Sequence, residues 1–308
     1  MSGLQRRKVS SQVQETNDSQ TVMGVDPEDS GIITSEVPRL TLMEEIILLG
    51  IKDAQGYLSF WNDSISYVLR GCILIELALR RRIAVVNDPV RRRLPVHQRI
   101  LELVDDRATG EPLLDETMKI MRGSEPLSIA TWVDYLSGET WNLYKISYQL
   151  KQVRERIQKG LVEKGVLRTD KMNFFLFDMP THPVADSMVK NEVKQRVLNI
   201  LAVPIPQVAK TDVPFTTLRA VCLTAASYAA NVLENVVSSL SYSARDAAFL
   251  RAGDLLNDYA EFPFERRGQQ WAISLLDEVT NESSQADNNY LEVVAGVMRV
   301  YSQLDAVL

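Results

Sequence analysis

The stretch "TWNLYKISYQLKQVRERIQKGLVEKG" constrains the fold more than any other part of the chain. Leu143, Ile146, Leu150, Val153, Ile157 and Leu161 recur near a 3.6-residue period, and Gly165 closes the pattern. Such a helix buries one stripe and needs other helices to cover it. The flanking sequence supplies them. "LTLMEEIILLG" has capping-box spacing at Thr41 and Glu44, with Gly50 as its stop, and Asp63 caps a helix running to about Arg82. Pro112 with "LLDETMKIM" starts another, and "SIATWVDYL" a further one. Beyond Pro183, "VKNEVKQRVLNIL", "LRAVCLTAASYAANVLENVV", "ARDAAFLRAGDLL" and "LEVVAGVMRVYSQL" are helical, with "AVPIPQVAKTDVPF" and "VTNESSQADNNY" as loops.

Two places break the helical pattern. "RIAVV" and "RILELVDD" read as strands joined by an arginine-rich loop. Val166 to Arg168 and Phe174 to Phe177 are β-prone runs flanking a polar turn at Thr169 to Asn173. The expected fold is mainly α: a single helical-bundle-like domain over residues 39–308 with a few short β-hairpins. At 308 residues and 45% hydrophobic, the chain can bury one large core. Residues 1–38, with "SSQVQETNDSQT" and "VDPEDSG", offer little to bury and are expected to form a disordered tail. Arg6, Arg7 and Lys8 are its one compact cluster of charge.

The chemistry of catalysis is missing from the pattern. The chain has two histidines, His97 and His182, in different loops, and no HExxH, CxxC or glycine-rich phosphate loop. Cys72 and Cys222 sit in apolar helical surroundings and read as buried free thiols. No catalytic residue, metal ligand or cofactor is expected. The ~18-residue apolar run of a membrane-spanning helix is absent, as is a signal-peptide core. A cytosolic protein, or one peripheral to a membrane from the cytosolic side, is the expectation.

Charge leaves more open. The net charge of −6 argues against a nucleic-acid binder. Yet seven arginines (Arg80, Arg81, Arg82, Arg91, Arg92, Arg93 and Arg99) face one acid, Asp88, between Leu79 and Arg99. They suit either an anionic surface or solvated loop charge. Lys151 and Arg154, three apart on the long helix, share a face. Arg70 lies about 10 Å along its own helix from Asp63. From the residues alone these three cations are either solvated or the converging donors a phosphate needs. Trp61, just ahead of Asp63, is either core or held out toward a ligand.

The succession Phe174, Phe175, Leu176, Phe177 adds a separate expectation. A strand alternates faces, so at most two of the four point inward if the other face is wet. The hairpin around Lys171, Met172, Asn173, Phe174, Phe175 and Leu176 is therefore expected to contact a bilayer or another copy of the chain.

From Leu40 to Leu308 the chain strongly resembles the Golgi phosphoprotein 3 family in its fungal form. The resemblance rests on "LTLMEEIILLGIKDAQGYLSFWNDSISYVLRGC", "YLSGETWN", "YQLKQVRERIQKGLVEKGVLRT" and "NFFLFDMPTHP". The tail matches at "LQRRK". What it implies is a single, mainly helical domain with a hydrophobic hairpin, acting as a non-enzymatic peripheral Golgi adaptor with a cytosolic pool. Such adaptors bind phosphatidylinositol 4-phosphate membranes, capture cytosolic tails of Golgi glycosyltransferases and link them to coatomer. The implied headgroup residues fall on Trp61, Arg70, Lys151 and Arg154, with Lys151 where some members carry arginine. Arg6, Arg7 and Lys8 would engage the coat, and the hairpin would serve the membrane or a homo-oligomer. A winged-helix-like nucleic-acid-binding or other interaction module is the alternative, opposed by the acidic balance.

Overall fold

In the computed structural model, Thr41 Oγ1 accepts the Glu44 N–H at 3.4 Å and the Glu44 carboxylate accepts the Thr41 N–H at 2.8 Å. This capping box starts α1 (Leu42–Gly50), all of whose residues are buried. The helix does end at Gly50, though not through a left-handed cap. Its C-cap, Ile51, is extended, and a Cβ on Gly50 would lie 2.8 Å from Leu58 Cδ2. The structure describes residues 37–58, 63–138, 143–174, 177–266, 268–284 and 288–304, with the backbone alone at 63, 143, 172–174 and 177–179.

The next element, α2 (Asp63–Leu79), has Asp63 as its first helical residue. It lies against α1, α7 (Thr216–Ala229) and α11 (Asn288–Leu304), and these four helices form the centre of the core. Gly71 lets α2 and α11 approach: a Cβ there would run into the Tyr301 ring, whose hydroxyl donates to the Val68 carbonyl at 2.7 Å.

Strand β1 (Ile83–Val85) pairs antiparallel with β2 (Leu101–Leu103), Ile83 opposite Leu103. The arginine-rich connection winds into 3-10 turns at Pro89–Arg93 and Val96–Gln98. Both expected helices follow, α3 (Pro112–Arg122) and α4 (Ile129–Ser137), the latter capped by Ser128 Oγ, which accepts the Thr131 N–H.

The long helix expected next is not continuous. A 3-10 segment, Leu143–Tyr148, precedes a turn, and α5 (Val153–Glu163) begins only after Gln152 at φ 52°. Lys151 therefore stands in the turn and not on a helical face with Arg154. The second hairpin is also shifted. Strands β3 (Asp170–Phe174) and β4 (Phe177–Thr181) pair antiparallel, Asp170 opposite Thr181 and Phe174 opposite Phe177. Most of the expected polar turn is thus strand. Phe175 and Leu176 lie outside the described residues, and the side chains of Met172, Asn173 and Phe174 outside what is described.

The C-terminal half holds α6 (Ser187–Leu201), α7, α8 (Leu233–Val237), α9 (Tyr242–Asp258), α10 (Gln270–Ser283) and α11. A single helix was expected over α7 and α8. It breaks at Asn231, φ 55°. Helix α10 was not foreseen, and its last turn occupies the start of the expected loop "VTNESSQADNNY".

Buried charge ties this core together. Glu76 of α2 is fully buried and accepts both Nη atoms of Arg219 on α7 at 2.8 and 3.0 Å, Arg80 Nε at 2.8 Å and the Leu42 N–H at 3.2 Å. Burial works against its ionisation, but the two guanidinium groups overcome it and hold the carboxyl at about 2. Lys164, just beyond α5, bridges Glu44 and Glu111 at 2.8 and 3.0 Å. Acids on α1 and α2, and one at the N-cap of α3, are thereby matched from other elements.

Candidate functional site

Arg70 sits two turns into α2, where α4 ends and the chain crosses back before α5. Left-handed Gly138 (φ 87°) closes α4, and a Cβ there would run into Gln149. That absence of a side chain brings the segment 149–151 against the helix end. The Leu150 N–H donates to the Leu136 carbonyl at 3.0 Å, and the Gln149 side-chain amide to the Ser137 carbonyl at 3.3 Å.

Into this crossing Arg70 donates three hydrogen bonds, to the carbonyls of Ser66 (2.8 Å), Leu136 (3.3 Å) and Leu150 (2.9 Å). Only 6% of the residue is exposed. Burial, then the positive charge of Arg154, lowers its pKa to about 10, with Glu155 opposing. It stays charged near neutral pH. A guanidinium has five N–H donors, so two remain after these bonds. Its acceptors are neutral carbonyls, one of them at the negative end of α4. The charge is solvated by protein dipoles, and a neighbouring cation adds to it.

Arg154 stands in the first turn of α5, half-buried, and Lys151 in the exposed turn before it. The helix start is capped by no side chain, Gln152 being left-handed. Helix N–H groups point toward the N-terminus with about half a positive charge, so α5 adds to the field of the three cations. The sequence named all three residues. What it missed was the carbonyl cage around Arg70 and the orientation of α5. Trp61 lies outside the described residues, as do Arg6, Arg7 and Lys8.

The arginine-rich loop resolves differently. Arg80 pairs with Glu76, Arg82 with Asp105, and Arg91 and Arg99 both with Glu292 on α11. Four of the seven thus serve the fold, leaving Arg81, Arg92 and Arg93 exposed. Both cysteines are buried free thiols, and burial raises the pKa of Cys72 to about 12. Among the described residues no group of three or more His, Cys, Asp or Glu is placed to hold a metal ion, and no helix is long and apolar enough to cross a membrane.

A family model for Golgi phosphoprotein 3 (GPP34) matches residues 42–283. The chain is 49% identical over 294 residues to vacuolar protein sorting-associated protein 74 of Schizosaccharomyces pombe, spanning 92% of this chain and 87% of that one. A protein of the same name from Eremothecium gossypii is 51% identical over 296 residues, spanning 92% and 89%. The matched region contains α1 to α10 and with them Arg70, Lys151 and Arg154. The chain belongs to the Golgi phosphoprotein 3 family.

Proposed function

We propose that this protein is a non-catalytic, peripheral Golgi adaptor. It binds phosphatidylinositol 4-phosphate through Arg70, Arg154, Lys151 and Trp61, captures the cytosolic tails of glycosyltransferases, and retains those enzymes by linking them to the coatomer coat. The observation that carries the reading is the buried Arg70 guanidinium, held by carbonyls beside Arg154 at the uncapped start of α5. A phosphate monoester suits that arrangement: it accepts hydrogen bonds from a rigid fork and is favoured by the positive end of a helix. Lys151, exposed in the turn, supplies a mobile point charge at the rim.

Golgi association and a role in protein sorting agree with the family and with the names of the relatives. Arg6, Arg7 and Lys8 would present a short basic arm to the coat, and the β3–β4 hairpin would meet the bilayer or a second copy of the chain. The decisive measurement is flotation with liposomes that differ only in the position of the headgroup phosphate. Preference for the 4-phosphate is expected, and equal binding to all positions overturns the assignment.

A further inference from the structure

Exposed apolar side chains are scattered over this protein: Met188 on α6, Tyr242 and Leu250 on α9. Single residues of this kind need no partner. Tyr144 and Ile146 differ in where they stand and in how they are held. Tyr144 is 91% exposed and Ile146 41%, on the same 3-10 segment (Leu143–Tyr148). Between them Lys145 is tied inward. Its ammonium meets Glu125 at 2.7 Å and lies over the rings of Tyr135 and Tyr148, at 5.6 and 5.1 Å. The Ile146 carbonyl then accepts the Gln149 N–H at 3.1 Å, one residue before the carbonyl that receives Arg70. The segment is thus anchored to the cation cluster while its two apolar side chains are turned to solvent.

We infer that Tyr144 and Ile146 enter the interfacial layer of the membrane whose headgroup the cluster engages, an inference that rests on the headgroup reading above. Continuity and charge favour a lipid surface over a protein partner. A phosphate drawn to Arg70 and Arg154 brings the bilayer up to the turn that carries Lys151, and this segment leads directly into that turn. Tyrosine suits the headgroup level, with an apolar ring and a hydroxyl that stays wet. The one charged group of the segment, Lys145, already has a carboxylate and two rings, so pressing the turn into lipid desolvates no unpaired ammonium. Stable attachment of a peripheral protein needs more than one weak signal, and here the second would be built beside the first.

Both native cysteines are fully buried, so a cysteine introduced on the surface can be labelled selectively. Tyr144→Cys and Tyr242→Cys, each carrying an environment-sensitive fluorophore, would be mixed with phosphatidylcholine vesicles containing or lacking phosphatidylinositol 4-phosphate. A blue shift and quenching by lipid-borne quencher are expected at 144 and not at 242, and only with the phosphoinositide. In parallel, Tyr144→Ser/Ile146→Ser should lose at least about tenfold in vesicle affinity while binding soluble short-chain phosphatidylinositol 4-phosphate as the wild type does. An unshifted label at 144, or unchanged vesicle affinity, overturns the inference and leaves the headgroup site standing if the soluble lipid still binds. A parallel loss of soluble-lipid binding also overturns it, by making the segment part of the pocket. A wild-type protein that binds no soluble lipid refutes the headgroup reading, and this inference with it.

Discussion

Arg70 and Arg154 are both expected to bind phosphate, and Arg70 has a second role in the fold that an alanine substitution exposes. In Arg70→Ala the Ser66 carbonyl keeps its place in the ladder of α2, and the Leu136 carbonyl keeps the Leu150 N–H. The Leu150 carbonyl loses the donor that reaches it across 80 residues of sequence. Stranding one buried acceptor costs about 1–3 kcal/mol, offset in part because a buried charge is also removed. At about 2–4 °C per kcal/mol for a domain of this size, a melting point lower by about 4 °C is expected. Arg154 lies in the first turn of α5, half-buried, and the same melt reads what Arg154→Ala costs the fold. Each substitution removes a charged donor that the proposed site assigns to phosphate, worth about 1.5–3 kcal/mol, so vesicle affinity should fall about ten- to a hundredfold in both. The assay is flotation on phosphatidylinositol 4-phosphate liposomes paired with thermal melting of the same samples. A folded double variant that floats normally refutes the site. An Arg70→Ala protein as stable as the wild type refutes the argument that this guanidinium also holds the Leu150 crossing.

Glu76→Gln strands the buried Arg219 guanidinium and should cost about 3–5 kcal/mol at neutral pH, read by urea denaturation. Because the folded carboxyl titrates at about 2, against 4.5 ordinarily, its contribution is complete above about pH 4.5 and fades as pH falls toward 2; wild type and variant should converge by about 3 kcal/mol across that window. A constant gap would show that charge is not what Glu76 contributes. Replacing Arg6, Arg7 and Lys8 together by alanine should lower coatomer pull-down while leaving flotation nearly intact, and an equal loss of both would make the cluster membrane-directed. Deleting Lys171 to Leu176 should weaken flotation or, by sedimentation, dissociate an oligomer, with the cooperative melt retained; loss of that melt would place the phenylalanines in the core.

Much of the helical framework was legible without coordinates, because its signals are local. The capping box at Thr41, Pro112 at the start of α3 and the helical stretches that became α4, α6, α9 and α11 each involve residues within a turn or two. Helix α10 could have been read the same way. Trp271, Leu275, Leu276 and Val279 are buried at helical spacing, but the polar run that follows them, "TNESSQADNN", reads as loop and hid the last turn. The cations of the proposed site came from the family resemblance, which singles out Arg70, Lys151 and Arg154.

Only the tertiary structure decided what surrounds those residues. Periodicity carried one helix from Leu143 to Leu161, yet the chain breaks at Gln152, and the partners of Leu150 there are Leu136 and Arg70, 14 and 80 residues away. The same holds for the arginines after Leu79. Sequence gives seven similar charges, and the fold commits four to carboxylates, one of them Glu292 near the far end of the chain. A charge's environment is set by what surrounds it in space, with Coulomb energies that depend on burial far more than on sequence neighbours. That is why composition and spacing determined a helical protein with its cations in known places, while burial and long-range contacts determined which of them are committed to carboxylates.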